Sequence, residues 1–166
     1  MPKGEKIDAI DLKILSCLQD NGRITNQRLA DIVGLSASAC LARVGKLEKS
    51  GLISGYGARL DLSKLRETVT VIAEITLEKQ GVKQQTTFEK ILKSIDQVID
   101  CYEVSGQHDY VARFVCASIG EYQDITADLL ADPRLALKQI TSLIAMRPVR
   151  EFKGYPLETL GANRRK

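Results

Sequence analysis

Apolar residues recur three and four apart through Ile7, Ile10, Ile14, Leu15 and Leu18, with Leu12 beside them. That is the period of a helix burying one face. The spacing predicts a helix over about 8–19, with Asp8 or Asp11 in its first turn and the turn signal Asp20-Asn21-Gly22 closing it. Thr25 then offers an N-cap to a short helix carrying Leu29, Ala30, Ile32 and Val33 on one side, and Gly34 supplies the backbone freedom to end it. Ser36 is a second N-cap, opening a helical run to Ser50 that Gly51 closes. Two short helices around Gly34 make a helix-turn-helix, with the first helix packed behind it.

On a helical wheel the second of these helices places Ala37, Cys40, Leu41, Val44 and Leu47 on one side, and Ser38, Ala39, Ala42, Arg43, Lys46 and Lys49 on the other. Such a helix is either an ordinary amphipathic core helix or one that enters a DNA groove. For the second role, Ser36, Ser38, Ala39 and Arg43 are the candidates at base edges, because small residues allow close approach and Arg grips guanine bidentately. Thr25, Asn26, Gln27, Lys46 and Lys49 are the candidates near phosphate.

Beyond Gly51 the periodicity changes. LISGYGARLDL alternates and is broken by Gly55 and Gly57, predicting a short hairpin wing and a connecting strand; Ser63 to Glu67 reads as a polar hinge. TVTVIAEITL is a strand, Thr86-x-x-Glu89 a capping-box pattern opening a helix with Phe88, Ile91, Leu92 and Ile95 inside, and VIDCYEVS and DYVARFVCA two further strands. Ser118-x-x-Glu121 opens a second helix with Tyr122, Ile125, Leu129 and Leu130 inside, ending before Pro133, and ALKQITSLIAMRPV is the last strand. The fold class is α+β: a winged helix-turn-helix over 1–62, a hinge over 63–67, a ferredoxin-like βαββαβ sandwich over 68–152, and a basic tail over 153–166.

Composition narrows the function only a little. Hydrophobic residues at 44% and charged residues at 27% are ordinary for a globular chain. The net charge of +3 is concentrated at the ends: residues 1–60 carry +3, residues 61–150 carry −2 and the last sixteen carry +2. This suits a DNA-binding head on a neutral body. Cys17, Cys40, Cys101 and Cys116 make no C-x-x-C pair and are read as reduced thiols; with His108 the only histidine, no histidine-rich metal site is available. No metal or other cofactor is expected. The start of the chain has no apolar signal core and no run approaches a bilayer span, which places the protein in the cytoplasm, away from membranes.

Residues 7–61 resemble the N-terminal domain of the Lrp/AsnC family of transcription regulators. The resemblance is carried by Asp8, Asp11, Gly22, Arg23, Thr25, Leu29, Ala30, Gly34, Leu35, Ser36, Arg43, Val44, Leu47, Glu48, Gly51, Ile53, Gly55 and Tyr56. Gly45 stands where relatives often carry a basic residue and Ala39 where some carry proline. The resemblance implies that the second domain senses amino acids and drives assembly of homodimers into tetramers or octamers, on a near-palindromic double-stranded operator. It also implies that the turn Gly106-Gln107-His108-Asp109-Tyr110 lines the effector site, with Tyr102, Ser105 and Thr141 or Ser142 around it. Asp109 is then the candidate partner for an ammonium group. From the residues alone, Gly-x-x-Asp reads first as a plain hairpin turn, and His108 adds pH sensitivity at most. Two alternatives stay open: an effector-independent DNA-binding regulator, and an enzyme resembling sirohaem decarboxylases, which share the two-domain plan but look to depend on histidines.

Overall fold

The computed structural model describes residues 7–78 and 81–162, and its elements fall into two compact units. Unit 1 combines residues 7–59 with 150–162, and unit 2 is residues 60–149.

Unit 1 holds α1 (Ala9–Asp20), α2 (Asn26–Val33), α3 (Ala37–Lys49) and α6 (Leu157–Ala162). The caps are those expected. Asp8 and Asp11 form a reciprocal capping box at the start of α1, Thr25 Oγ1 accepts the Arg28 N–H, and Ser36 Oγ accepts the Ala39 N–H. Gly34 and Gly51 take φ of +75° and +74°, the left-handed conformation that ends a helix without the penalty a Cβ would bring. Ile14, Leu15, Leu29, Ala30, Val33, Cys40 and Leu47 form the core.

Three expectations are corrected here. Ile32 and Leu41, assigned to inward faces, are 42% and 61% exposed. The wing segment is not a strand-paired hairpin: the described residues 52–61 contain no strand, and Tyr56 hooks back so that its hydroxyl donates to Glu48 Oε1 at 2.9 Å. A lone two-stranded hairpin is marginal in water, and this run, interrupted by Gly55 and Gly57, has no third strand to lean on. The expected tail is, over 153–162, part of unit 1. Leu157 packs against its core, the Gln19 side chain accepts the Tyr155 N–H at 2.7 Å and donates to the Tyr155 carbonyl at 3.2 Å, and Arg59 donates to the Gln19 and Lys153 carbonyls. The basic stretch 163–166 lies outside the described residues.

Unit 2 has a short 3-10 turn, Leu62–Lys64, near its start at Leu60. It then builds β1 (Val69–Leu77), α4 (Val82–Leu92), β2 (Val98–Glu103), β3 (Tyr110–Cys116), α5 (Ile119–Ala131) and β4 (Leu137–Ile144). The antiparallel sheet has the order β2-β3-β1-β4, the ferredoxin-like arrangement. Val71, Ala73, Ile75 and Leu77 of β1 and Tyr110, Ala112, Phe114 and Cys116 of β3 alternate into a core closed by Phe88 and Leu92 of α4 and Tyr122 and Leu129 of α5. Phe88 lies against Tyr110 at 4.8 Å and Phe114 meets Tyr122 edge-on at 5.3 Å.

Ser118 caps α5 as expected, but α4 starts a turn before Thr86, at Val82. Thr86 sits inside the helix with its hydroxyl bonded to the Val82 carbonyl, the alternative that mid-helix threonines adopt. Leu130, expected inside, is 49% exposed. No helix among the described residues is long and apolar enough to cross a membrane.

Candidate nucleic-acid interface and effector turn

The helix-turn-helix is held by side chains that the sequence had offered to DNA. Asn26, expected near phosphate, instead donates from Nδ2 to the Ala37 carbonyl at 2.8 Å, tying the first turn of α2 to the first turn of α3; its Oδ1 is buried without a partner. Arg43, expected at a base, turns back toward α1. Its Nη1 lies 2.7 Å from Asp8 Oδ2 and 2.8 Å from Asp11 Oδ1, and Asp11 is buried. The Asp11 N–H first, and then Arg43, hold the Asp8 carboxyl below its usual range. In this arrangement Arg43 braces α3 on α1, and reading a base would require it to leave two carboxylates.

The other candidates face outward. Ser36 is committed to its cap, with its Oγ 3.2 Å from Ser38 Oγ; Ser38, Ala39, Lys46 and Lys49 are exposed along α3. Gln27 is exposed on α2 and donates to Asp31, and Thr25 is exposed while capping α2. Thr25 and Gln27 share a shallow groove with Arg28, an exposed cation that the wheel of α3 could not reveal because it lies on the neighbouring helix. Helix α3 therefore presents a capped N-terminus and small residues, with cations in its last turns. It suits insertion between phosphate ridges, its free N–H groups and the positive end of its dipole leading.

In unit 2 the candidate effector residues do not all meet. Tyr102, Val111, Glu74 and Thr141 are successive partners across the four strands, one row on the face opposite the helices. Tyr110 and Ser142 belong to the other face: Tyr110 is buried against Phe88 with its hydroxyl 3.3 Å from Glu89, and Ser142 Oγ lies 2.5 Å from the Tyr122 hydroxyl. Burial first, and then Glu89, push the Tyr110 hydroxyl up to about 12. Both hydroxyls are thus engaged on the helix side of the sheet, away from the row that holds Tyr102 and Thr141.

Asp109 is engaged with the backbone of β1. Its Oδ2 accepts the Leu77 N–H at 2.8 Å, beside the register shift at Thr76/Leu77, and its own N–H donates to the Ile75 carbonyl. A bulge leaves a donor without its ladder partner, and this carboxylate satisfies it. Through Oδ2, Asp109 fixes the turn to β1. Ser105 and Gly106, with φ of +130° at Gly106, form the exposed tip.

His108 lies between Thr76 Oγ1, 3.2 Å from Nδ1, and Glu74 Oε2, 3.4 Å from Nε2. Glu74 was missed by the sequence reading. It is the one acidic residue in the β1 run, and the alternation that puts Ala73 and Ile75 inside puts it on the open face. A separate depression of about 470 Å³ lies between α4 and the β2–β3 pair, lined by Glu89, Lys93, Cys101, Glu103 and Tyr110. Burial first, then Asp100, raise the Cys101 thiol to about 11, so it is not a ready nucleophile. Among the described residues no cluster of three or more His, Cys, Asp or Glu is arranged to hold a metal ion.

The profile of winged helix-turn-helix DNA-binding domains matches residues 7–54, and that of the Lrp/AsnC ligand binding domain matches residues 70–155. The chain belongs to the Lrp/AsnC family. It is 37% identical over 153 residues to the Bkd operon transcriptional regulator of Pseudomonas aeruginosa, covering 92% of this chain and 99% of that protein. It is 38% identical over 128 residues to the leucine-responsive regulatory protein of Haemophilus influenzae, covering 77% of each. A transcriptional regulator of Neisseria meningitidis, solved as its complex with L-Met, superposes with a TM-score of 0.85 at 25% identity, over 93% of this chain and 99% of that one. These relatives are regulators, and the Lrp/AsnC assignment sets aside the decarboxylase alternative. As in other Lrp/AsnC chains, a DNA-binding unit is coupled to a ligand-binding domain.

Proposed function

We propose that this Lrp/AsnC regulator reads a near-palindromic operator as a homo-oligomer and that an amino acid, held at the turn 105–109, sets its grip on DNA. The observation that carries the reading is α3: a Ser36-capped helix whose outward residues in its first turn, Ser38 and Ala39, are small, with Lys46 and Lys49 beyond them and Arg28 on the adjacent helix. On this reading Ser38 and Ala39 approach bases, Ser36 and Thr25 place helix N-termini against phosphates, and Gln27, Lys46 and Lys49 flank them. Two such helices related by a dyad reach half-sites one helical turn apart, ~34 Å. The helix-free sheet face, with Leu143 and Tyr102 48% and 64% exposed, supports a second copy of the chain as its cover.

For the effector, Glu74 offers a carboxylate to an ammonium group, while Tyr102, Ser105, His108 and Thr141 border it and Asp109 holds the turn. The L-Met bound by the Neisseria regulator supports the ligand class. The protein would act where its DNA is, in the cytoplasm.

Selection of duplexes from a random pool, followed by thermal-shift titration against the twenty amino acids, tests both halves. An enriched palindrome and a ligand that raises the melting temperature are expected. A pool that stays random overturns the first half, and twenty flat titrations overturn the second.

A further inference from the structure

We propose that Leu41 and Gly45 form a knob and notch on α3 that select thymine in the major groove of the operator, an inference that rests on the DNA-binding reading above. Leu41 follows Cys40, which is fully buried, yet is itself 61% exposed. A large aliphatic side chain at that position adds nothing to the core of unit 1. Gly45 is four residues further along, so the two are neighbours on the same strip. A Cβ built on Gly45 meets nothing within 4 Å, and its φ is not positive. The fold has no need of glycine there, and a glycine inside a helix destabilises it relative to alanine. Gly45 lowers helix stability and Leu41 adds no burial, and the two lie on the strip of α3 turned from the buried Cys40 and Leu47.

With Ser38 and Ala42 exposed beside them, the strip is small and uncharged except for one branched aliphatic group. Of the groups base pairs display in the major groove, the thymine C5-methyl is the apolar one, and an aliphatic side chain recognises it by contact rather than hydrogen bonding. Side chains on a helix lean toward its N-terminus, so Leu41 covers the half of α3 that enters the groove first. The missing side chain at Gly45 lets the helix sit deeper behind it.

The test uses the full chain and a duplex selected from a random pool. Each thymine is replaced in turn by deoxyuracil, which removes only the C5-methyl, and affinity is measured for wild type, Leu41→Ala and Gly45→Ala. Wild type is expected to bind about fourfold more weakly when one particular thymine of each half-site is replaced, the worth of one buried methyl-sized group. Leu41→Ala should bind the thymine and uracil duplexes alike. Gly45→Ala should melt at a higher temperature and yet bind less tightly, a divergence that a structural role alone does not give. A selected operator indifferent to uracil at every thymine, an unchanged uracil penalty in Leu41→Ala, or tighter binding by Gly45→Ala overturns the proposal and leaves the DNA-binding reading standing. A pool that yields no preferred sequence overturns both.

Discussion

Ser36 stands where the turn after α2 becomes α3, its Oγ accepting the Ala39 N–H at 3.3 Å. Ser36→Ala removes that bond and should cost about 1 kcal/mol, the usual worth of an N-cap. In a unit of this size that is a fall in melting temperature of roughly 4–8 °C. Ser36→Asp separates capping from DNA contact. Aspartate caps as well as serine and its charge suits the positive end of the helix, so stability should stay within ~0.5 kcal/mol of wild type. DNA binding should not. If the N-terminus of α3 faces phosphate at ~6 Å, two unit charges repel by about 0.7 kcal/mol in bulk water and about 2.8 kcal/mol at an effective dielectric of ~20. Affinity per half-site should then fall roughly 3- to 100-fold, and the loss should shrink between about 50 and about 300 mM salt as screening shortens. Urea denaturation followed by circular dichroism gives the stability, and fluorescence anisotropy on a selected operator gives the affinity. A Ser36→Asp protein of unchanged stability that binds as tightly as wild type at low salt would refute the placement of α3.

Arg43→Ala should weaken binding to operator and to scrambled DNA by the same factor, because it loosens α3 from α1 rather than deleting a base contact; competition between the two duplexes checks this. Asp8 and Asp132 have lowered carboxyl pKa values, Asp132 to about 2 beside Arg134. Each therefore stabilises the fold above its ordinary value of 3.8 and loses that contribution as pH falls through its folded value, so stability should drop on acidification from about pH 4 to about pH 2, less steeply for unit 1 in Arg43→Ala. Gln19→Ala removes both bonds to Tyr155 and should cost about 1–2 kcal/mol. Hydrogen exchange should then speed up in 150–162 before it does in α2 and α3.

Local chemistry was legible in the sequence. Thr25, Ser36 and Ser118 cap helices because each is followed by a run that needs a partner for its first N–H groups, and β1 and β3 declared themselves by alternation. What was hidden depends on residues far apart in the chain. Nothing in R-V-x-x-L-E tells that Arg43 will find Asp8 and Asp11, 35 and 32 positions earlier. The wheel placed Leu41 by angle alone, whereas the buried arc of α3 centres on Cys40 and Leu47 and leaves Leu41 outside it. The turn at Gly106 was recognised, but which strand Asp109 serves is fixed by the bulge in β1, a tertiary event. That Tyr110 and Ser142 share the helix side of the sheet, and Tyr102 and Thr141 the other, follows from strand register, which a linear reading does not carry.

Unit 1 draws on both ends of the chain, with residues 60–149 inserted between its parts. On the ribosome, α1 to α3 emerge long before the segment that closes on Gln19. The helices meant for DNA thus gain their last support only after the ligand-binding domain has been synthesised, and a chain cut anywhere within that insertion is deprived of it.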